Sequence, residues 1–186
     1  FRRVQDGRAG GPETTTCTSC HWRSGPGGAG GLPDASYLLG DGDRVGSADA
    51  RNPPMLIGAG VVQALGEEMT ADLAALREDA RARAHQTGAA VDVELVSKGV
   101  SFGVLRVRPD GQLDTDRVGG VDVDLVVRPF GWKGTVATIA DFAAEAAAVH
   151  LGMQVEGLAE LAAGSPTPLV LGDGPPADRD RDGVVD

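Results

Sequence analysis

Cys17-Thr18-Ser19-Cys20-His21 is the stretch from which the rest of the chain is read. Cys-x-x-Cys-His is the attachment signature of a c-type haem. Two thiols one helical turn apart reach the two vinyl groups on one edge of a porphyrin. The histidine that follows offers its imidazole to the iron as proximal ligand. The pattern therefore assigns Cys17 and Cys20 to covalent attachment and His21 to axial ligation. Without haem, the same residues read as a redox dithiol or as half of a zinc site. These are the only two cysteines among 186 residues, so a four-thiolate zinc site cannot be completed. A thioredoxin-like dithiol belongs after a strand at the head of a helix. Upstream of Cys17 stand glycine, proline and threonine, with no strand pattern.

The composition suits a cofactor-filled interior. With 28 Gly, 11 Pro and only 4% aromatic residues, the chain is loop-rich and short of large side chains, and a porphyrin would supply the missing apolar bulk. The net charge is −10, from 27 acidic and 17 basic residues. Such a surface repels a phosphate backbone, so nucleic acid is not an expected partner. It can steer a cationic redox protein or simply serve solubility. No stretch approaches the roughly 20 apolar residues of a membrane span, and no signal peptide is visible. The chain opens on Phe1, so its natural start is expected upstream. Covalent haem attachment takes place outside the bacterial inner membrane, so the motif implies a periplasmic or otherwise exported protein.

Around the motif, Gly7, Gly10, Gly11 and Pro12 precede a short helix expected over 15–22. The run Gly25-Pro26-Gly27-Gly28-Ala29-Gly30-Gly31 cuts that helix off. Arg51-Asn52-Pro53-Pro54 should be extended, because residues before proline avoid the helical region. A helical turn follows over 61–65, then a helix over 67–86 with Met69, Leu73, Leu76 and Ala80 on one face, stopped by Gly88. The period then changes. Val91, Val93 and Leu95 alternate with polar residues, as do Val121, Val123 and Leu125. Residues 102–107 form a third candidate strand, and Pro109-Asp110-Gly111-Gln112 reads as a turn. A second long helix opens at Thr138, with Asp141 three residues on and an apolar stripe of Ile139, Phe142, Ala146, Val149 and Met153.

A haem iron has a sixth position that His21 cannot fill. The candidates are Met153 and His150 near the end of the second helix, and Met55 after the proline pair. Each also has a plain packing role. Asp178, Asp180, Asp182 and Asp186 fall at positions 1, 3, 5 and 9 of an EF-hand-type loop, with Gly183 at position 6 and the last ligand beyond the final residue. Calcium is thus a candidate ligand of the intact protein, and a solvated acidic tail is the alternative. Trp132 is a candidate electron relay or an ordinary packing residue.

Together these segments resemble the di-haem peroxidase-like family often labelled thiol oxidoreductase, relatives of bacterial cytochrome c peroxidase. The resemblance is carried by Cys17-Thr-Ser-Cys-His21, Arg51-x-Pro-Pro-x-Leu-x-Gly-x-Gly60 and Phe130-Gly-Trp-Lys133. The second helix and the calcium-like segment follow in the family's order. It implies a periplasmic oxidoreductase with two c-type haem domains, one relaying electrons and one reacting with peroxide or another oxidant. This sequence departs from the pattern in holding one haem motif, as the N-terminal haem domain of a longer protein would. The partner is then a second haem domain of the same polypeptide or a small redox protein, and no catalytic residue beyond the haem ligand carries over. The expected fold is mainly α and loop-rich, a cytochrome c-like haem domain over 1–164 with a small antiparallel β insertion over about 91–127. A linker over 165–186 carries the truncated calcium-like segment. Two alternatives stand beside this reading: a mono-haem electron-transfer module without turnover, and a calcium-dependent structural domain in which the motif is incidental.

Overall fold

The computed structural model describes residues 14–31, 51–131 and 134–151. It also gives the backbone of two short antiparallel pairs, β1 (Val4–Gln5) with β2 (Arg8–Ala9) and β3 (Ser36–Leu38) with β4 (Asp49–Arg51). The chain divides into two compact units: Gly60–Ile139, and the flanking Phe1–Ala59 with Ala140–Asp186.

Within Gly60–Ile139, α1 (Ala59–Thr87) leads into a three-stranded antiparallel sheet of β5 (Val91–Ser97), β6 (Val100–Val107) and β7 (Leu113–Val118), in that spatial order. The helix is one continuous rod where the sequence suggested a turn and then a helix. It passes through Gly66, where an added Cβ would lie 3.3 Å from the Pro129 ring, so glycine here serves close packing rather than a break. It ends at Gly88, whose φ of +65° takes the left-handed stop. Met69, Leu73, Ala80 and Ala84 form the buried stripe of α1. They share a core with Val93, Leu95, Phe102, Leu105, Val107 and Leu125. Alternation along β5 puts Val93, Leu95 and Ser97 inside.

Ser97 is the buried polar residue of this core, and its hydroxyl donates to Asp72 Oδ2 at 2.6 Å. That bond, and then the neighbouring Lys98, hold the Asp72 carboxyl below its usual range against burial. Lys98 and Gly99 form a two-residue hairpin turn with φ of +50° and +81°, the signs a type I′ turn requires. The Lys98 ammonium reaches back to Glu68 at 3.1 Å and Asp72 at 3.6 Å. On the solvent face, Asp92 binds Arg106 at 2.6 Å and Arg117 at 2.8 Å, one carboxylate linking all three strands. The two ends of this unit meet as well: Gln63 Oε1 accepts from the Ile139 backbone N–H at 2.9 Å.

This architecture corrects the expected mainly α, cytochrome c-like fold. The described residues hold two α-helices and a three-stranded antiparallel sheet, an α/β arrangement. The physical reason lies in where the first long helix spends its apolar stripe. It packs on the sheet, so the strands form half of a hydrophobic core rather than an ornament on a helical one. The strand expected over 121–125 is also displaced, whereas the one expected over 102–107 is β6. Residues 121–125 are not a strand, and Val123 is 71% exposed despite the alternating pattern. Leu125 N–H bonds the Asp122 carbonyl and Asp124 Oδ1 takes the Val126 N–H, so local turns claim this backbone. The third strand is the more polar Leu113–Val118 instead. The turn at 109–112 is where the sequence put it, closed by Arg108 N–H to Gln112 O at 2.9 Å.

The other unit contains the Cys-x-x-Cys-His turn and α2 (Ile139–Leu151), which begins one residue after Thr138. The helix expected over 15–22 is a single 3₁₀ turn, Cys17–Ser19.

Candidate functional site

The 3₁₀ turn is built by threonine and cysteine backbone groups. Thr16 caps it, its hydroxyl accepting from Thr18 N–H at 3.0 Å. The Cys17 carbonyl then accepts from both Cys20 N–H at 3.2 Å and His21 N–H at 3.0 Å. Cys17 thus opens the turn and Cys20 closes it as the C-terminal cap. Cys17 is exposed, Cys20 half-buried, and neither is in a disulfide.

His21 follows, half-buried, with Nδ1 2.7 Å from the Pro54 carbonyl oxygen. A carbonyl only accepts, so Nδ1 carries the proton and donates. The tautomer is thereby fixed, and Nε2 keeps its lone pair for a metal. A hydrogen bond of this kind is what orients an imidazole that ligates a metal and raises its basicity.

The glycine run after the motif does more than end a helix. Gly27 N–H bonds the His21 carbonyl at 3.0 Å, while Gly27 O receives Leu56 N–H at 2.8 Å and Ile57 N–H at 3.2 Å. Gly30 N–H bonds the Pro53 carbonyl at 2.9 Å. The loop thus straps the motif to the 53–57 segment. It does so at glycine distance: a Cβ on Gly30 would lie 2.5 Å from the Cys20 carbonyl and 2.7 Å from the Pro53 ring. A Cβ on Gly28 would collide with the Arg23 carbonyl.

The remaining sequence candidates are placed as follows. Met55 is half exposed, next to Pro54. His150 lies in the last turn of α2, and its carbonyl accepts from Thr14 N–H at 3.2 Å, tying the helix end to the approach to the motif. On the same helix Glu145 is pushed above the usual carboxylate range, first by burial and then by Asp141. Met153, Trp132, Asp178, Asp180, Asp182 and Asp186 lie outside the described residues. Among the described residues, no group of three or more His, Cys, Asp and Glu side chains could hold a metal ion by itself. Nor is any described helix long and apolar enough to cross a membrane. The Pro54 carbonyl and the strap were missed at the level of sequence. No side-chain signal marks them, because the groups that act are a backbone oxygen and backbone amides.

Comparison of the chain with protein-family models, curated proteins and solved structures returned no match.

Proposed function

We propose that the chain is a c-type haem domain, with the porphyrin attached at Cys17 and Cys20 and its iron held by His21. The hydrogen bond from His21 Nδ1 to Pro54 O carries this reading, because it sets the tautomer and ring orientation a proximal ligand needs. Two further observations support it. The two cysteines bracket a capped turn, Cys17 opening it and Cys20 closing it, and Trp22, Met55 and Ile57, all in the same unit, are at least half exposed, apolar groups that a macrocycle could cover. Bound haem supplies a one-electron couple. The chain's part is to orient His21 and, through the Pro54 carbonyl, to enrich its electron density, which favours the oxidised iron.

The finer reading rests on the order of motifs in the sequence: a redox domain of a periplasmic di-haem peroxidase-like oxidoreductase, exchanging electrons with a second haem domain or a small redox protein. The test is expression alongside the c-type maturation machinery, followed by denaturing electrophoresis with a haem stain. One covalent haem per chain is expected, lost when Cys17 and Cys20 are both replaced by alanine. A wild-type chain without denaturation-resistant haem overturns the proposal.

A further inference from the structure

We infer that the face carrying Trp22, Arg23 and Ile57 is a docking surface, and that its occupant is the acidic segment after α2, residues 152–186 of the same chain. The contact is read in the chain with both thiols free, so it stands apart from the haem reading.

The charge pattern marks the face. The chain holds 27 acidic residues among 186, yet residues 14–33 and 50–66 contain no Asp or Glu. These two stretches are strapped together by the backbone bonds of Gly27 and Gly30. Trp22, Met55 and Ile57 within them are 52%, 50% and 62% exposed. Ile57 stands beside the glycine loop, its Cγ1 3.6 Å from where a Gly27 Cβ would lie. Trp, Arg and Met exposed together without acidic residues is the composition of the centre of a protein contact.

Arg23 supplies the sign. Its exposed guanidinium lies across the Gly31 backbone, where a Cβ would come 2.5 Å from Nη2 and 2.8 Å from Nε. Among the described residues it pairs with no carboxylate. A planar fork already resting on backbone loses little freedom when a carboxylate arrives. The fitting occupant is therefore both apolar and acidic.

Residues 152–186 are both. They hold seven acidic residues against two arginines, together with Leu158, Leu161 and Leu169-Val170-Leu171. They also begin in the right place. The His150 carbonyl accepts from Thr14 N–H at 3.2 Å, three residues before Cys17, so the segment departs beside the approach to the motif. A tether running from 151 to 178 reaches about 26–31 Å even as an unextended coil. That holds its acidic end at about millimolar concentration around the face.

The experiment uses the full chain without haem, carrying Trp132→Phe so that Trp22 is the one tryptophan left. Quenching of its fluorescence by neutral acrylamide is compared in this parent and in the combined Asp178→Asn, Asp180→Asn and Asp182→Asn variant. The combined variant should raise the quenching constant about twofold, and high salt should erase the difference. Arg23→Glu should raise it likewise. Joining Arg23→Glu to Asp178→Lys, Asp180→Lys and Asp182→Lys should restore the parent value. Equal quenching in the parent and the Asp→Asn variant overturns the docking. That variant alters no residue of the described fold, so it answers even where Arg23→Glu does not fold. A swap that restores nothing overturns Arg23 as the contact. A difference that grows with protein concentration puts the segment of a second copy on the face and overturns the assignment within one chain. The haem stain on wild type reads the haem proposal separately.

Discussion

Replacing Gly30 with alanine tests whether the glycine strap holds the His21 site together. The backbone of Gly30 is not in the left-handed region, so alanine brings no conformational penalty, only a methyl group with nowhere to go. That methyl would lie 2.5 Å from the Cys20 carbonyl and 2.7 and 2.8 Å from Pro53 Cδ and Cγ. None of these is the end of a flexible side chain. Relief requires the strap to move off the 53–57 segment, weakening the Gly30–Pro53 and Gly27–His21 backbone bonds. One overpacked contact costs about 1–3 kcal/mol, and each weakened hydrogen bond about 1 kcal/mol. The local opening energy should fall by about 3–5 kcal/mol, so the Gly27 and Leu56 amides should exchange with solvent about a hundred and fifty- to five thousandfold faster, or until their protection is gone. Covalent haem yield should fall with it. Gly60→Ala is the matched control: its Cβ meets nothing within 4 Å, and the change should stabilise α1 by about 0.5–1 kcal/mol. Wild-type exchange at Gly27 and Leu56 in Gly30→Ala would refute the strap.

Two predictions concern the helix–sheet unit. Leu105 is fully buried, so Leu105→Ala should cost about 2–5 kcal/mol; a denaturant midpoint that barely moves would show that its pocket collapses freely or is absent. Asp92 should titrate at about 2, lowered by hydrogen bonds from Arg106 and then Arg117 against an ordinary 3.8. A depressed folded pKa contributes stability above the unfolded value that is lost as pH falls through the folded one. The Asp92 share should therefore fade between about pH 4 and 2, and Asp92→Asn should abolish that part of the acid sensitivity. A carboxyl resonance of Asp92 titrating near 3.8 would contradict the three-strand clamp.

How far the sequence could be read depended on what each pattern physically encodes. The Met69, Leu73 and Ala80 stripe and the Val93 and Leu95 alternation report burial directly, and both appear in the core. The Val121, Val123, Leu125 alternation misled because Asp122 and Asp124 divert the backbone into turns, a competition that hydrophobic period does not register. The Lys98-Gly99 turn was legible in principle, glycine between two strand-like runs, but only strand pairing shows that Lys98 must also take a positive φ. What decided the fold class was the choice of partner for α1, which no single segment states. At the site, Cys17, Cys20 and His21 announce themselves by spacing. Pro54 does not, because its contribution is a backbone oxygen that any residue carries.

The bond between Gln63 and Ile139 has a topological consequence. Because residues 60–139 close upon themselves, they behave as a bead threaded on the outer chain, not as slack within it. A flexible loop charges its host in closure entropy, about 0.6 kcal/mol for each doubling of length. A bead whose entry and exit are already joined charges almost none. During synthesis the bead can also fold as soon as it is complete, whereas Thr14 must wait for the carbonyl of His150. The partners of the Cys-x-x-Cys-His turn, at Gly27 and Pro54, precede the bead in the chain, so that turn can be assembled before the bead is complete.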